Sequence, residues 1–252
     1  MNNAIERIVS LMKQSHNTVV VTGAGISTEA GIPDFRGPNG IYRRLGEDRV
    51  MQIINIDFFH RHPAEFYSFY RQYFDFPPVE PSHAHKVLAQ MENKNYIRGI
   101  VTQNIDNLHQ KAGSKNVVAI HGNAERFVCT GKKCHKYYDA QYVQNFADSV
   151  PVCSACGSII KPDVVLFGEN INNYMGARDM IVNARLLMVI GSSLTVYPLA
   201  GFVKEFSTFT QDLVIINQGP THLDHAALVK LDTTGMTTGE ALSRIYAGLS
   251  AN

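Results

Sequence analysis

The chain of 252 residues has no tryptophan, almost no net charge and no long hydrophobic run. The absence of tryptophan by itself excludes nothing. A formal net charge of +1 gives no overall field that would attract nucleic acid or an acidic membrane, so neither is expected as a specific partner. The longest apolar runs, such as Leu186–Ile190 and Leu213–Ile216, are far too short to span a bilayer. These absences predict a soluble protein.

Cysteine is scarce as well: the chain has four, and all of them fall between residues 129 and 156. A secreted protein that depends on disulfides more often distributes its cysteines along the sequence. The N-terminal residues carry Glu6, Arg7 and Lys13 and lack the apolar core of a signal peptide. We therefore expect a cytoplasmic protein. The oligomeric state is left open, and a monomer is compatible with the sequence.

Short apolar segments that end in small or polar residues alternate with segments of helical periodicity. This alternation is typical of an open, mostly parallel α/β sheet, in which ligands bind at the carboxyl ends of the strands. The expected strands are residues 18–22, 96–101, 117–120, 162–167, 185–190 and 214–217, and the expected helices are residues 4–14, 58–76, 83–93, 173–183 and 240–247. Ser27 or Thr28 is expected to cap a short helix after the first strand.

Two segments that follow the first strand are candidates for binding an anionic ligand. Gly23-Ala-Gly25 would let a backbone approach a pyrophosphate closely, although Thr28 stands where the dinucleotide motif has its third glycine. Gly31-Ile-Pro-Asp-Phe-Arg-Gly37 contains Asp34 and Arg36, and an arginine offers phosphate a planar fork of donors. The alternatives are a purely structural turn and an ordinary Asp–Arg pair on the surface.

Polar residues also follow four later strands. Gln103-Asn-Ile-Asp106 could bind a ribose or an amide, or simply begin a helix. His121 precedes a glycine that would leave its ring open, so it could act as a general base or be structural. Gly191-Ser-Ser193 and Asn217 could contact ribose or phosphate, or form turns. Other histidines, including His60, His62, His83 and His85, are expected on the surface.

The cysteines form two pairs, Cys129-x4-Cys134 and Cys153-x2-Cys156. This spacing is typical of a tetrahedral thiolate zinc site. Four cysteine ligands leave no open coordination position, so the metal would be structural rather than catalytic. The alternatives are free buried thiols or two local disulfides.

Taken in chain order, these segments resemble the sirtuin family of NAD-dependent protein lysine deacylases. The similarity extends from about residue 15 to residue 220. Its motifs are Gly23-Ala-Gly-Ile-Ser27, Gly31-Ile-Pro-Asp-Phe-Arg-Gly37, Thr102-Gln-Asn-Ile-Asp106, His121-Gly122, the four cysteines, Lys161-Pro-Asp-Val-Val-Leu-Phe-Gly-Glu169, Gly191-Ser-Ser-Leu194 and Ile216-Asn217.

The resemblance implies a Rossmann-like parallel sheet domain with a small zinc-ribbon module and a helical insertion. The large domain would comprise residues 1–39, 80–123 and 162–252. The small domain would comprise the helical insertion 40–79 and the zinc-binding module 124–161. NAD and an acyl-lysine protein or peptide would meet between the two domains.

The resemblance also implies a reaction and a role for each motif. The acyl group would pass from lysine to ADP-ribose with release of nicotinamide, and His121 would take a proton from the ribose hydroxyls. Asn104 and Asp106 would share the catalytic site with His121. The implied cofactor-binding residues are Gly23, Ala24, Gly25, Thr28, Asp34, Phe35, Arg36, Tyr42, Gln103, Asn104, Ile105, Asp106, His121, Gly191, Ser192, Ser193 and Asn217. The implied substrate residues are Ile105, His121, Val165, Leu166, Phe167, Gly168 and Val196, with the peptide added as a strand.

Three departures from the family pattern qualify these expectations. The first cysteine pair has four intervening residues where many members have two, and Leu166-Phe167 replaces a common aromatic pair. Members that remove succinyl groups carry Tyr-x-x-Arg, whereas here Tyr70 follows Tyr67 and Arg71 comes one position late, so neutral acyl groups are expected. Asp232–Gly239 gives no clear alignment for an adenine contact.

A protein mono-ADP-ribosyltransferase and a non-catalytic module that binds NAD or ADP-ribose are the alternative functions.

Overall fold

Six parallel strands form the larger sheet in the order β3-β2-β1-β7-β8-β9. The computed structural model describes residues 2–75, 79–209 and 212–251. The strands of this sheet are β1 (Thr18–Thr22), β2 (Gly99–Thr102), β3 (Val117–Ala119), β7 (Leu186–Ile190), β8 (Leu213–Asn217) and β9 (Val229–Asp232). The strand order turns back at β1, because the chain first adds β2 and β3 on one side and later β7 to β9 on the other.

Helices cover both faces of this sheet, as the period of two along β1 requires. Val20 packs into one buried cluster, while Val19 and Val21 pack into another on the opposite face. The first face is covered by α1 (Asn2–Gln14), α6 (His83–Asn93) and α11 (Thr238–Ser250), and the second by α9 (Tyr174–Val182) and α10 (Leu199–Phe209). A short helix, α7 (Leu108–Lys111), follows β2.

A second, antiparallel sheet is built from the cysteine-containing part of the chain. Its strands are β4 (Gly122–Cys129), β5 (Tyr137–Asp139) and β6 (Ile160–Val164), in the order β5-β4-β6, and α8 (Ala140–Gln144) follows β5. The helices before α6 are α2 (Ile41–Leu45), α3 (Glu47–Ile53), α4 (Ile56–Arg61) and α5 (Pro63–Tyr73). These helices and the second sheet share one hydrophobic core. The Tyr67 hydroxyl, for example, donates to the Ile160 carbonyl at 2.5 Å.

Several elements differ from the sequence-based predictions. The helix expected over residues 58–76 is broken at His62, because Pro63 begins a new helix and cannot donate within the preceding one; residue 76 of that prediction lies outside the described residues. The strand expected at 162–167 runs over Ile160–Val164, and that expected at 96–101 begins at Gly99. His85 was expected on the surface but is fully buried.

The polar residues after β1 form two short 3-10 turns, Ala24–Ile26 and Thr28–Ala30, rather than a capped helix. Ser27 makes no capping hydrogen bond with its side chain, so that prediction is wrong.

None of the helices formed by the described residues combines the length and hydropathy needed to cross a bilayer.

Candidate functional site

The carboxyl ends of β1 and β7 meet where the strand order reverses, which is where open α/β sheets bind ligands. The Gly23 N–H donates to the Ile190 carbonyl at 3.1 Å, and the Gly25 N–H donates to the Gly191 carbonyl at 2.9 Å. A Cβ atom at Gly25 would lie 2.9 Å from the Gly191 backbone. Glycine is therefore required here because two strand-end turns touch through their main chains.

A single large cleft of about 1530 Å³ lies above this edge of the sheet. Every residue predicted to bind NAD or the acyl-lysine substrate lines it. They are Gly23, Ala24, Gly25, Thr28, Asp34, Phe35, Arg36, Tyr42, Gln103, Asn104, Ile105, Asp106, His121, Val165, Leu166, Phe167, Gly168, Gly191, Ser192, Ser193, Val196 and Asn217. The fold thus brings segments up to about 190 positions apart into one space, and the volume suits a dinucleotide together with part of a peptide.

His121 enters the cleft from the turn between β3 and β4, held by a single backbone contact. Its Nδ1 lies 3.0 Å from the Gln103 carbonyl oxygen. Because a carbonyl can only accept, Nδ1 carries the proton and Nε2 keeps a free lone pair. Burial lowers the pKa of His121, so the ring is neutral at pH 7. Gly122 has φ of +86° and faces the Asp163 carbonyl at a distance that leaves no room for a Cβ.

The segment after β2 forms a tight polar group on the floor of the cleft. The Ser27 hydroxyl donates to Asp106 Oδ2 at 2.6 Å and accepts from Asn104 Nδ2 at 3.0 Å. Asn104 Nδ2 also lies 3.2 Å from the Gly23 carbonyl oxygen. The only side-chain role predicted for Ser27 was that of a helix cap. In the structure its hydroxyl instead connects the two predicted catalytic side chains, Asn104 and Asp106. Nothing in its local sequence gives that signal, because the contact joins residues about 80 positions apart.

The side chains of the other strand-end residues also form hydrogen bonds. The Ser192 hydroxyl donates to Gln103 Oε1 at 3.1 Å, and the Ser193 hydroxyl lies 3.0 Å from Thr195 Oγ1. Asn217 Nδ2 donates to the Gln218 carbonyl at 3.0 Å.

The loop at residues 31–37 does not contain the Asp–Arg pair that was the simpler alternative. Asp34 accepts a hydrogen bond from the backbone three residues on, at 2.9 Å. Arg36 instead forms an ion pair with Glu47 at 2.6 Å, and its guanidinium lies 4.7 Å from the centre of the Tyr42 ring. The Phe35 and Tyr42 rings are 5.2 Å apart. An aromatic wall and one arginine therefore border the cleft on this side.

The opposite wall contains the segment 165–168 that follows β6. The Val165 N–H donates to the His121 carbonyl at 2.9 Å, and the Phe167 N–H donates to the Ile54 carbonyl at 2.9 Å. Lys161, almost fully buried, lies 2.9 Å from Glu169 Oε2, and that same oxygen accepts from the Leu166 N–H at 2.9 Å. The ion pair and the Leu166 hydrogen bond to Glu169 fix the shape of the segment, and the Val165 hydrogen bond connects it to His121.

Residues after β9 line the cleft too, which the sequence did not predict. They are Thr233, Thr234, Met236, Thr237 and Thr238. Strand β9 pairs with β8 in parallel, so the loop that follows it reaches the same edge as Asn217. The available signal was the alternation of Val229 and Leu231 with charged residues, followed by a polar Thr-Thr-Gly turn.

The four cysteine sulfurs lie within 4.8 Å of one another, at one end of the second sheet. Cys129 Sγ is 3.4 Å from Cys156 Sγ, and Cys134 Sγ is 3.6 Å from Cys153 Sγ. Disulfides would need about 2.05 Å, whereas Zn–S bonds of about 2.3 Å in a tetrahedron place sulfurs roughly 3.8 Å apart. The arrangement fits a tetrahedral zinc site.

Hydrogen-bond donors around the sulfurs suit thiolates rather than thiols. The Tyr138 hydroxyl donates to Cys153 Sγ at 3.0 Å, and the backbone N–H groups of Ala155 and Gly131 approach Cys153 and Cys129 at 3.4 and 3.3 Å. Such outer contacts orient metal ligands and stabilise their negative charge.

Residues 23–198, which are more than half of the chain, match the family model of the Sir2 family. The chain belongs to the Sir2 family. The resemblance noted from the motifs is thereby confirmed, and so is the expected fold class, a Rossmann-like parallel sheet with a small antiparallel module that carries the cysteine cluster.

Two similar Sir2 relatives are both named NAD-dependent protein deacetylase. The protein from Thermotoga maritima is 42% identical over 231 residues, which cover 90% of this chain and 92% of the relative. The protein from Clostridium perfringens is 40% identical over 247 residues, which cover 96% of this chain and 100% of the relative.

Solved Sir2 structures match over nearly the whole chain. One, described with a deacetylated p53 peptide and 3'-O-acetyl ADP ribose, has a TM-score of 0.88 and 39% identity and covers 98% of this chain and 99% of its own. Another, described with a p53 peptide and NAD+, has a TM-score of 0.83 and 39% identity and covers 96% of both chains.

Proposed function

We propose that this Sir2 protein is an NAD-dependent protein lysine deacetylase, which transfers the acyl group to ADP-ribose and releases nicotinamide. The observation that carries the proposal is the neutral His121 ring, with Nε2 free, inside the cleft that the Gly23–Gly25 turn borders. Family membership and the names of the relatives support the same activity.

The chain's own residues fit NAD at the strand edge. Gly23, Gly25 and Gly191 have no side chain at the switch point, so a pyrophosphate can approach the main chain closely there. NAD would supply the ribose carbon that loses nicotinamide and the hydroxyl that receives the acyl group. Ser192, Ser193 and Asn217 would hold its adenosine half.

His121 would serve as the general base. Its Nδ1–H stays on the Gln103 carbonyl, which fixes the tautomer and aims Nε2 as a proton acceptor. A ribose hydroxyl that passed its proton to Nε2 would become nucleophilic enough to bond to the acyl carbon, and the bond from that carbon to the lysine nitrogen would then break. Phe35 would cover the reacting face and exclude water after nicotinamide leaves.

Asn104 and Asp106 would position the reacting end of NAD, with Asp106 bound to the nicotinamide amide. Their link through Ser27 limits side-chain motion, so less entropy is lost when the ligand binds.

The acyl-lysine peptide would add as a strand between the segments 165–168 and 193–196, and Ile105, Val165 and Phe167 would line the acyl-lysine tunnel. The buried Lys161–Glu169 pair supports this wall. The division into a large domain (1–39, 80–123, 162–252) and a small one (40–79, 124–161) belongs to the proposal, as does a cytoplasmic location.

Neutral acyl groups are expected to be preferred over succinyl. Arg71 donates to the Phe146 and Ser149 carbonyls at 2.6 and 2.5 Å, so its charge is directed to the backbone of the small module. Arg36 is already paired with Glu47. A succinyl carboxylate would thus lose water without gaining either of these two arginines as a partner, a penalty on the order of 10²-fold or more.

The measurement is kcat/KM for acetyl-, butyryl- and succinyl-lysine versions of one peptide. Butyryl is the matched control, because it tests chain length without charge. A succinyl value equal to or above the acetyl value would contradict the preference.

Purified protein, NAD and an acetyl-lysine peptide provide the test of the main proposal. Nicotinamide release should equal deacetylation, with acyl-ADP-ribose detected by mass. Label from NAD on protein would instead indicate an ADP-ribosyltransferase. NAD binding with no turnover on any acyl-lysine peptide would indicate a non-catalytic binding module.

A further inference from the structure

Two buried histidines lie beneath the cleft floor without a part in the proposed reaction. His85 on α6 and His109 on α7 are 0% and 1% exposed. Their ring centres are 4.6 Å apart, and the rings are inclined at 62°. We name them the imidazole pair. Neither His85 nor His109 is among the described residues that line the large cleft.

The hydrogen bonds of the imidazole pair determine which ring nitrogens carry protons. Ser82 Oγ donates to the Ile26 carbonyl at 3.2 Å and lies 2.7 Å from His85 Nδ1. Since the hydroxyl has one proton, His85 Nδ1–H must donate to Ser82. Thr22 Oγ1 donates to Thr102 Oγ1 at 2.8 Å and lies 2.9 Å from His109 Nε2, so His109 Nε2–H donates to Thr22 by the same argument.

Each ring is left with one bare nitrogen in the interior. His85 Nε2 and His109 Nδ1 are buried and have no hydrogen-bond partner among the described residues. An unsatisfied buried polar atom costs about 1–3 kcal/mol. Buried ring nitrogens without a partner are expected mainly where a function compensates their cost. Burial lowers the pKa of both histidines, so the rings are uncharged at neutral pH.

A chain of hydroxyls leads from the imidazole pair to the cleft floor. Thr22 and Thr102 are the last residues of β1 and β2. The Thr102 hydroxyl accepts from the Asn104 backbone N–H at 3.0 Å. His109 therefore hydrogen-bonds to Thr22, and Thr22 donates to Thr102. Thr102 in turn accepts from the backbone of Asn104, whose side chain enters the cleft.

A second path leads from His109 to Asp106. The Leu108 N–H donates to Asp106 Oδ1 at 3.0 Å, so the position of α7 and the orientation of the carboxylate depend on each other. Thr102, Asn104, Asp106 and His109 also border one small cavity of about 10 Å³. His109 thus contacts the same internal space as both floor residues.

The geometry points to a positioning role: His109, supported by His85, holds Asn104 and Asp106 in the orientation that binds the nicotinamide-ribose half of NAD. This inference rests on the proposed function for the identity of the ligand. It assigns the imidazole pair no proton transfer and no contact with substrate.

The test replaces His109 by methionine and by glutamine. Methionine fills a similar volume without a donor, whereas the glutamine amide can still donate to Thr22. We expect His109→Met to lower kcat/KM for NAD on the order of 10²-fold, the usual cost of a misplacement of about 1 Å. The KM for the peptide should stay unchanged, and His109→Gln should recover most of the loss.

Leu88→Ala is the matched control, because Leu88 is fully buried on α6 beside the imidazole pair but belongs to the hydrophobic core. It should lower the melting temperature and leave both substrate parameters intact. Equal losses in His109→Met and Leu88→Ala, or no loss in folded His109→Met, would overturn the inference. If His109→Met does not fold, Thr102→Val keeps both rings and should show the same selective loss for NAD.

NAD affinity measured by calorimetry separates this inference from the proposed function. A wild-type protein that binds NAD but deacetylates nothing would refute the deacetylase proposal. The ratio of NAD Kd values between wild type and His109→Met would still decide the role of the imidazole pair.

Discussion

Replacing His121 by alanine is expected to lower deacetylation about 10²–10⁴-fold, the contribution that a positioned general base usually makes. The ring is half-buried in the cleft and held by the Gln103 carbonyl, so no nearby group can replace Nε2. NAD affinity should change little, because the backbone turns at Gly25 and Gly191 remain. The measurement is single-turnover deacetylation of an acetyl-lysine peptide, with NAD affinity determined separately.

His16→Ala is the control, since His16 is exposed in the loop between α1 and β1 and should retain full activity. The pH profile adds an independent check. Burial lowers the pKa of His121, and a base works only when unprotonated. The acidic decline of activity should therefore be centred below pH 6.5, the ordinary pKa of a histidine. An acidic limb centred above pH 6.5, or a His121→Ala enzyme with wild-type rates, would remove His121 from the mechanism.

Much of the large sheet could be predicted because its strands are buried on both faces. Thr18–Thr22, Leu186–Ile190 and Leu213–Asn217 consist largely of apolar or β-branched residues, and such runs need no tertiary information to be recognised. The polar residues that follow them mark the carboxyl edge. That is why the predicted cofactor residues, such as Gly25 and Asn217, all line the cleft.

The small module was harder to predict, because its strands are short and partly exposed. Gly122–Cys129 mixes charged and apolar residues, so β4 has no clear period of two. The position of Ser27 between Asn104 and Asp106 and the burial of His85 were missed for a different reason. Both depend on contacts across distant segments, and local propensity contains no information about them.

Removing the metal from the cysteine cluster is also expected to have a large effect, because both the stability of the protein and its deacetylation should be lost. Structural zinc contributes folding free energy directly, about 10–16 kcal/mol in isolated zinc fingers. Cys129 and Cys153 belong to the core that the second sheet shares with α2 to α5. Strand β6 runs from Ile160, paired with Cys129, to Val164, immediately before the proposed substrate segment. Loss of the metal should therefore loosen one wall of the cleft as well as the module itself.

Three measurements follow for the purified protein. Elemental analysis should give one zinc per chain, and Cys153→Ser should lose it. Calorimetry should show a lower melting temperature for Cys153→Ser and for chelator-treated protein, and both should lose deacetylation. Lys133→Ala is the matched control, because Lys133 is exposed next to Cys134 in the loop between β4 and β5 and is no ligand. A Cys153→Ser protein that keeps its melting temperature and its activity would show that the module needs neither the complete cysteine cluster nor its metal, since the hydrophobic core around Phe127 and Ile160 would then be sufficient to hold the cleft wall.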